Sequence, residues 1–167
     1  MKTRLHRWLL AVYRRMPRGL RRGIVRRFSP QYTVGAICIV ERDDGRVLLV
    51  RQSYRNRWGV PGGLLRRGED AADGARREAL EEVGIDIELV GEPTVVVAPD
   101  PRRVDVIYRA KPASAATADD AHPSSPEIVE ARWFSPTELP ELQEETADAV
   151  RALARASLRP AARPLAR

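Results

Sequence analysis

The chain has 167 residues, 43% of them apolar, with 29 Lys+Arg against 23 Asp+Glu and a formal charge of +6. That length and composition fit one domain of ordinary size and exclude wholesale disorder, while a single cysteine, Cys38, excludes a disulfide scaffold or a cysteine-ligated zinc site. The surplus charge sits at the ends: residues 1–28 hold ten basic and no acidic side chains, residues 29–150 sum to −9, and residues 151–167 add five arginines.

Residues 3–16 place Leu5, Trp8, Leu9, Val12 and Met16 at helical spacing with arginines between them. Pro17 ends that helix and opens a second over about 18–28, with Leu20, Ile24 and Phe28 on one side. Residues 1–28 thus read as a basic amphipathic helical extension. The apolar run Trp8 to Tyr13 is too short to span a bilayer and short for a signal-peptide core. A cytoplasmic setting is expected, at the inner face of the membrane if the extension meets anionic lipid. The other reading packs its apolar side on the domain or on a second subunit, which would make a homodimer. Nucleic acid is not an expected partner.

From Gln31 the period changes to that of strands. Tyr32–Glu41 and Arg46–Gln52 read as two strands joined at Asp44-Gly45, a hairpin turn signal. Ser53–Arg57 is a polar loop, and Trp58–Gly63 is a short strand running into a turn. Asp70–Val83 is a helix stopped by Gly84. Ile85–Ala98, Val104–Ala110 and Ile128–Phe134 read as strands, the first interrupted near Gly91 and Pro93. The stretch Pro112–Ser125 reads as a mobile loop. A short helix is expected at Ser135-Pro136-Thr137-Glu138, and a longer one over about 141–158. The division expected is an extension at 1–28, a domain at 29–158 and a basic tail at 159–167.

The informative stretch is GLLRRGEDAADGARREALEEVGI, Gly63 to Ile85. Glu78, Glu81 and Glu82 lie three and four residues apart and project from one side of the predicted helix. Like charges at that spacing destabilise a helix unless something neutralises them, and a hard divalent cation bound through oxygen does so. Alone, EALEE is more often a solvated helix face. The full spacing changes that: Gly63, Glu69, Arg77-Glu78, Glu81-Glu82 and Gly84-Ile85 match the Nudix box at every specified position. Chance would give such a match about once in 10⁹ placements. The sequence resembles the Nudix hydrolases over roughly 32–140.

The resemblance implies an α/β fold, a Nudix-type α/β/α sandwich around a mixed sheet. It implies Mg²⁺, with Mn²⁺ as a substitute, held by Glu78, Glu81, Glu82 and the carbonyl of Gly63. Glu69 and Arg77 would support the site. A further carboxylate, Glu127 or Glu130, would bind metal or act as base, and Glu127 is favoured because Glu130 falls in the strand. Glu82, Glu81 and Glu127 are the expected catalytic carboxylates. The implied reaction is Mg²⁺-dependent hydrolysis of a nucleotide-type substrate, ADP-ribose-like or (d)NTP-like, by in-line attack of water at phosphorus. The alternative is a non-catalytic nucleotide-sensing module, which such folds usually become by losing a box glutamate, and none is lost here. Pro101, sixteen residues after the box, falls where ADP-ribose-hydrolysing relatives often carry proline, though a turn explains it equally well. Arg51 and Arg57, with Arg55, are candidates for substrate phosphate. Trp58 reads as packing rather than base stacking. His6 and His122 lack the neighbours of a catalytic dyad, and Cys38 points into the core.

Overall fold

The computed structural model describes residues 2–157. They divide into two compact units that meet between Tyr32 and Thr33.

The first unit is two helices, α1 (Lys2–Arg15) and α2 (Arg18–Phe28). Pro17, extended at ψ 145°, separates them, because a proline supplies no N–H to continue the first. The Ser29 N–H bonds to the Val25 carbonyl at 2.8 Å and closes α2. No residue of α2 is buried. Trp8, Leu10, Tyr13, Leu20, Val25 and Phe28 are all exposed.

Among the described residues, the second unit carries seven strands and three helices. They are β1 (Thr33–Val40), β2 (Val47–Gln52), β3 (Trp58–Gly59), β4 (Gly62–Leu64), α3 (Ala71–Val83), β5 (Ile87–Ala98), β6 (Arg103–Pro112), α4 (Ala115–Asp119), β7 (Ile128–Phe134) and α5 (Glu144–Ser157). One mixed sheet has the order β4-β1-β6-β5, with β1 and β6 parallel and the outer pairs antiparallel. A smaller antiparallel sheet has the order β3-β2-β7.

The two-residue period of the strands sorts their side chains between two cores. Ala36, Cys38 and Val40 of β1 face the α3 side with Ala75, Ala79 and Val83. Ile37 and Ile39, one residue out of phase, join Leu49, Ile107, Ala149 and Leu153 on the α5 side. Small residues at 75 and 79 let α3 approach the sheet closely. Both helices therefore flank the sheets, and the architecture is the expected α/β sandwich.

Helix α3 begins where Asp70 accepts the Ala72 N–H at 2.8 Å and ends where Gly84 adopts the left-handed conformation at φ 71°. Three expectations need correcting. The stretch Pro112–Ser125 holds a helical turn, α4, because Ser114 caps it through the Thr117 N–H and Ala118 is buried. Ser135–Glu138 is a turn, in which the Ser135 hydroxyl takes the Thr137 N–H at 3.3 Å. The last helix starts at Glu144, because Leu142 bridges to Trp58 and the Gln143 N–H bonds to the Trp58 carbonyl at 2.8 Å. Pro101 follows a cis peptide bond in the turn between β5 and β6. Residues 158–167, which include all of the expected basic tail at 159–167, lie outside the described residues.

Candidate active site

A cavity of about 440 Å³ opens where β4, the second half of α3, the start of β6, and the loops after β2 and before β7 meet. Glu78 and Glu82 reach it from α3, Glu127 from the loop before β7, and Gly62 and Gly63 line it with backbone. Polar side chains from the other wall are Gln52, Tyr54, Arg55, Arg103, Gln143, Glu145 and Thr146.

The box residues form one connected system. Arg77 Nε and Nη2 donate to the two oxygens of Glu69 at 2.6 and 2.9 Å, a two-pronged pair that also closes the loop before α3. Arg77 Nη1 donates to Glu78 at 2.7 Å and to Glu81 at 3.0 Å. The Arg77 hydrogen bonds, with the Arg66 backbone N–H, hold the Glu69 carboxyl down at about 2. Glu81 also takes a hydrogen bond from Arg66 at 2.8 Å. It therefore faces the two arginines and does not line the cavity with Glu78 and Glu82.

Glu82 is buried, 7% exposed. Its Oε2 accepts the Gly62 N–H at 3.0 Å. Burial pushes it up to about 8 against that hydrogen bond, and the negative charges of Glu78, Glu127 and Glu81 add to the rise. Gly63 lies directly against Glu78: a Cβ there would stand 2.6 Å from Glu78 Oε1 and displace the carboxylate. The Ser53 N–H bonds to the Glu127 carbonyl at 2.8 Å and fixes the loop that bears Tyr54.

The donor chemistry suits a hard cation. Glu78, Glu82, Glu127 and the Gly62-Gly63 backbone line one space, and the negative charge gathered there adds to the rise that burial causes in Glu82. Among the described residues, no three acidic, histidine or cysteine side chains already stand as a closed metal cage. Glu78, Glu82 and Glu127, which line this cavity, are the candidates to hold such an ion.

The remaining candidates are placed as follows. Arg51 pairs with Glu130, its direct neighbour across β2 and β7, and Glu130 also pairs with Arg132. Arg57 pairs with Glu141 at 2.7 Å. Neither Arg51, Arg57 nor Glu130 lines the cavity, whereas Arg55 and Glu127 do. Trp58 packs edge-to-face on Phe134 at 4.9 Å. Cys38 is fully buried, and burial pushes its thiol well up. His122 is in an exposed loop against the Asp120 carbonyl. Arg103, Gln143 and Glu145 were not legible as site residues. The one local signal was Arg103-Val-Asp105, a charged pair on one face of a strand.

The model of the NUDIX domain matches residues 31–156. A MutT-like protein of Streptomyces ambofaciens is 34% identical over 117 residues, covering 70% of this chain and 72% of that protein. A NUDIX hydrolase from Nitrosomonas europaea superposes with a TM-score of 0.65 at 28% identity, over 80% of this chain and 78% of that one. An ADP-ribose pyrophosphatase from Streptococcus suis shares the fold, with a TM-score of 0.59 at 24% identity over 77% and 94% of the two chains. With its box complete and its domain matched almost end to end, the chain belongs to the NUDIX family of hydrolases.

Proposed function

We propose that the protein is a Mg²⁺-dependent pyrophosphohydrolase acting on a nucleoside diphosphate derivative or nucleoside triphosphate. The observation that carries this reading is the convergence of Glu78, Glu82 and Glu127 on one cavity edged by the Gly62-Gly63 backbone. Bound there, Mg²⁺ offsets phosphate charge and lowers the pKa of a water for in-line attack. Glu82, with Glu78, supplies the anionic oxygens on the α3 side. Glu127, from the loop before β7, would take the proton of the attacking water at a carboxylate oxygen. Arg77 and Glu69 aim the α3 carboxylates and touch no substrate.

The test is a hydrolysis screen over ADP-ribose, dinucleotides and (d)NTPs, with and without Mg²⁺ or Mn²⁺, run beside Glu82→Gln. Metal-dependent release by the wild type alone is expected. Release that survives metal chelation, or an unchanged Glu82→Gln, would refute the metal assignment. Nucleotide binding without release of any product would refute the hydrolytic reading.

A second reading concerns residues 1–28, proposed as a peripheral contact with anionic membrane. It is favoured by apolar side chains that stand exposed among ten basic and no acidic residues. No helix of the described residues is long and apolar enough to cross a membrane. Co-sedimentation with phosphatidylserine vesicles is expected for the full chain and not for 29–167. Equal partitioning of both removes the idea.

A further inference from the structure

Glu78, Glu82, Glu127 and Glu145 line the cavity together with two cations, Arg55 and Arg103. Each arginine commits one nitrogen, but only Arg103 keeps both terminal nitrogens together for a two-pronged contact. Arg55 Nη1 is spent on Gln143 at 2.9 Å and on both Glu145 oxygens at 3.2 and 3.3 Å. Arg103 uses only its Nε, which donates to the two oxygens of Asp105 at 2.7 and 2.9 Å.

Backbone geometry explains why Arg103 points where it does. Arg103 and Asp105 are two apart on β6 and so share a face. In the parallel register Asp105 stands beside Gly35 of β1, and Gly35 in turn stands beside Leu64 of β4. A Cβ at Gly35 would meet Asp105 Oδ1 at 2.7 Å, Arg103 Nη2 at 3.2 Å and the Gly63 carbonyl at 3.2 Å. The missing side chain is thus the passage through which the guanidinium crosses β1 toward the box glycine. Asp105, only 8% exposed, holds it by Nε and leaves both terminal nitrogens for a ligand.

We infer that Arg103, positioned by Asp105 across Gly35, is a binding site for a phosphate group of the substrate in the cavity it lines with Glu78 and Glu82. This rests on the nucleotide reading above and adds the residue that recognises the anion. A planar guanidinium with its Nη groups free matches two phosphate oxygens at once, which an ammonium does not. The simpler account makes Arg103 no more than the counter-ion of buried Asp105. That account predicts damage to folding from loss of the pair and none to ligand binding once folding is preserved.

The experiment separates them. The double variant Arg103→Gln/Asp105→Asn removes both charges together and keeps a hydrogen-bonding pair. Arg103→Lys keeps the charge beside Asp105 and removes the fork. Binding of α,β-methylene-ADP in Mg²⁺ is measured by calorimetry, with the thermal midpoint of each variant recorded alongside. The expected result is binding about 10- to 100-fold weaker in both variants, the range for losing a charged hydrogen bond, with a cooperative melt retained in Arg103→Lys. On whichever substrate the screen identifies, KM rises by a similar factor and kcat falls by less. Wild-type-like affinity in Arg103→Lys and in the double variant overturns the inference alone. Failure of the wild-type protein to bind the probe overturns the nucleotide reading and this inference with it.

Discussion

Glu82 Oε2 accepts the backbone N–H of Gly62 at 3.0 Å, which ties the box helix to the strand that precedes it while leaving the carboxylate almost dry. The price of that burial is a folded-state pKa of about 8 against an ordinary 4.5. The sign follows from proton binding. Between those values the native chain holds a proton that the unfolded chain has released, so the metal-free protein loses stability as pH rises from about 4.5 to 8. Mg²⁺ needs the ionised form and competes with that proton. The Mg²⁺-induced gain in thermal midpoint is therefore expected to be larger at pH 8 than at pH 6, and to be small at both in Glu82→Gln. Thermal melts at the two pH values check this, and equal gains in the wild type would count against Glu82 as a ligand.

Arg77 fixes three carboxylates with one guanidinium, and the 2.6 and 2.9 Å pair to Glu69 sets its plane. An ammonium cannot hold Glu69 by two prongs while also reaching Glu78 and Glu81. Arg77→Lys is expected to raise the Mg²⁺ concentration for half-maximal activity by about 10- to 100-fold, the usual consequence of losing a residue that orients metal ligands. A Mg²⁺ titration of the hydrolysis rate measures it. An unchanged midpoint with reduced kcat would assign Arg77 to the reaction itself.

Gly63 sits directly against Glu78, so that an added Cβ would lie 2.6 Å from Oε1 and 2.7 Å from Cδ. Glu78 is held from the other side by Arg77 and cannot simply swing away. Gly63→Ala is expected to fold and to lose most metal-dependent turnover, about 10-fold or more. Circular dichroism and a rate measurement together distinguish this from unfolding.

Much of the fold is local in origin and was legible. Asp70 and Gly84 bracket α3 with a cap at each end, and the alternation of β1 follows from its Val, Ile and Ala residues. The misread segments are those where distant contacts decide. The last helix waits until Glu144 because Gln143 and Leu142 are taken by Trp58, more than 80 residues earlier. Within the site, the helix spacing located Glu78 and Glu82, but not the turning of Glu81 toward Arg66 and Arg77. Arg51 and Arg57 looked like phosphate ligands from their position beside the box loop. Their partners, Glu130 and Glu141, are known only from the pairing of β2 with β7 and the path of the chain into α5. Arg103 was invisible for the same reason: its reach depends on β6 lying parallel to β1 at Gly35.

Glu127 and Glu130 are three residues apart and face different surroundings. Glu130 is bonded by Arg51 and Arg132, and the Arg51 hydrogen bond holds its carboxyl below the usual range. Glu127 lines the cavity, and its charge helps raise both Tyr54 and Glu82. A carboxylate already neutralised by two arginines is a poor base and a poor cation ligand, whereas one that burdens its neighbours with negative charge is suited to either task. Glu127→Gln is accordingly expected to lower kcat by about 10²-fold or more, in the range for loss of a general base, with little change in thermal midpoint. Glu130→Gln is expected to leave kcat within a few-fold and to lower the midpoint slightly through the lost cross-strand pairing. Steady-state kinetics of the two variants side by side measures the contrast. The reverse ranking, with Glu130→Gln the slower enzyme, would move the base to the strand and make Glu127 a charge of the cavity rim.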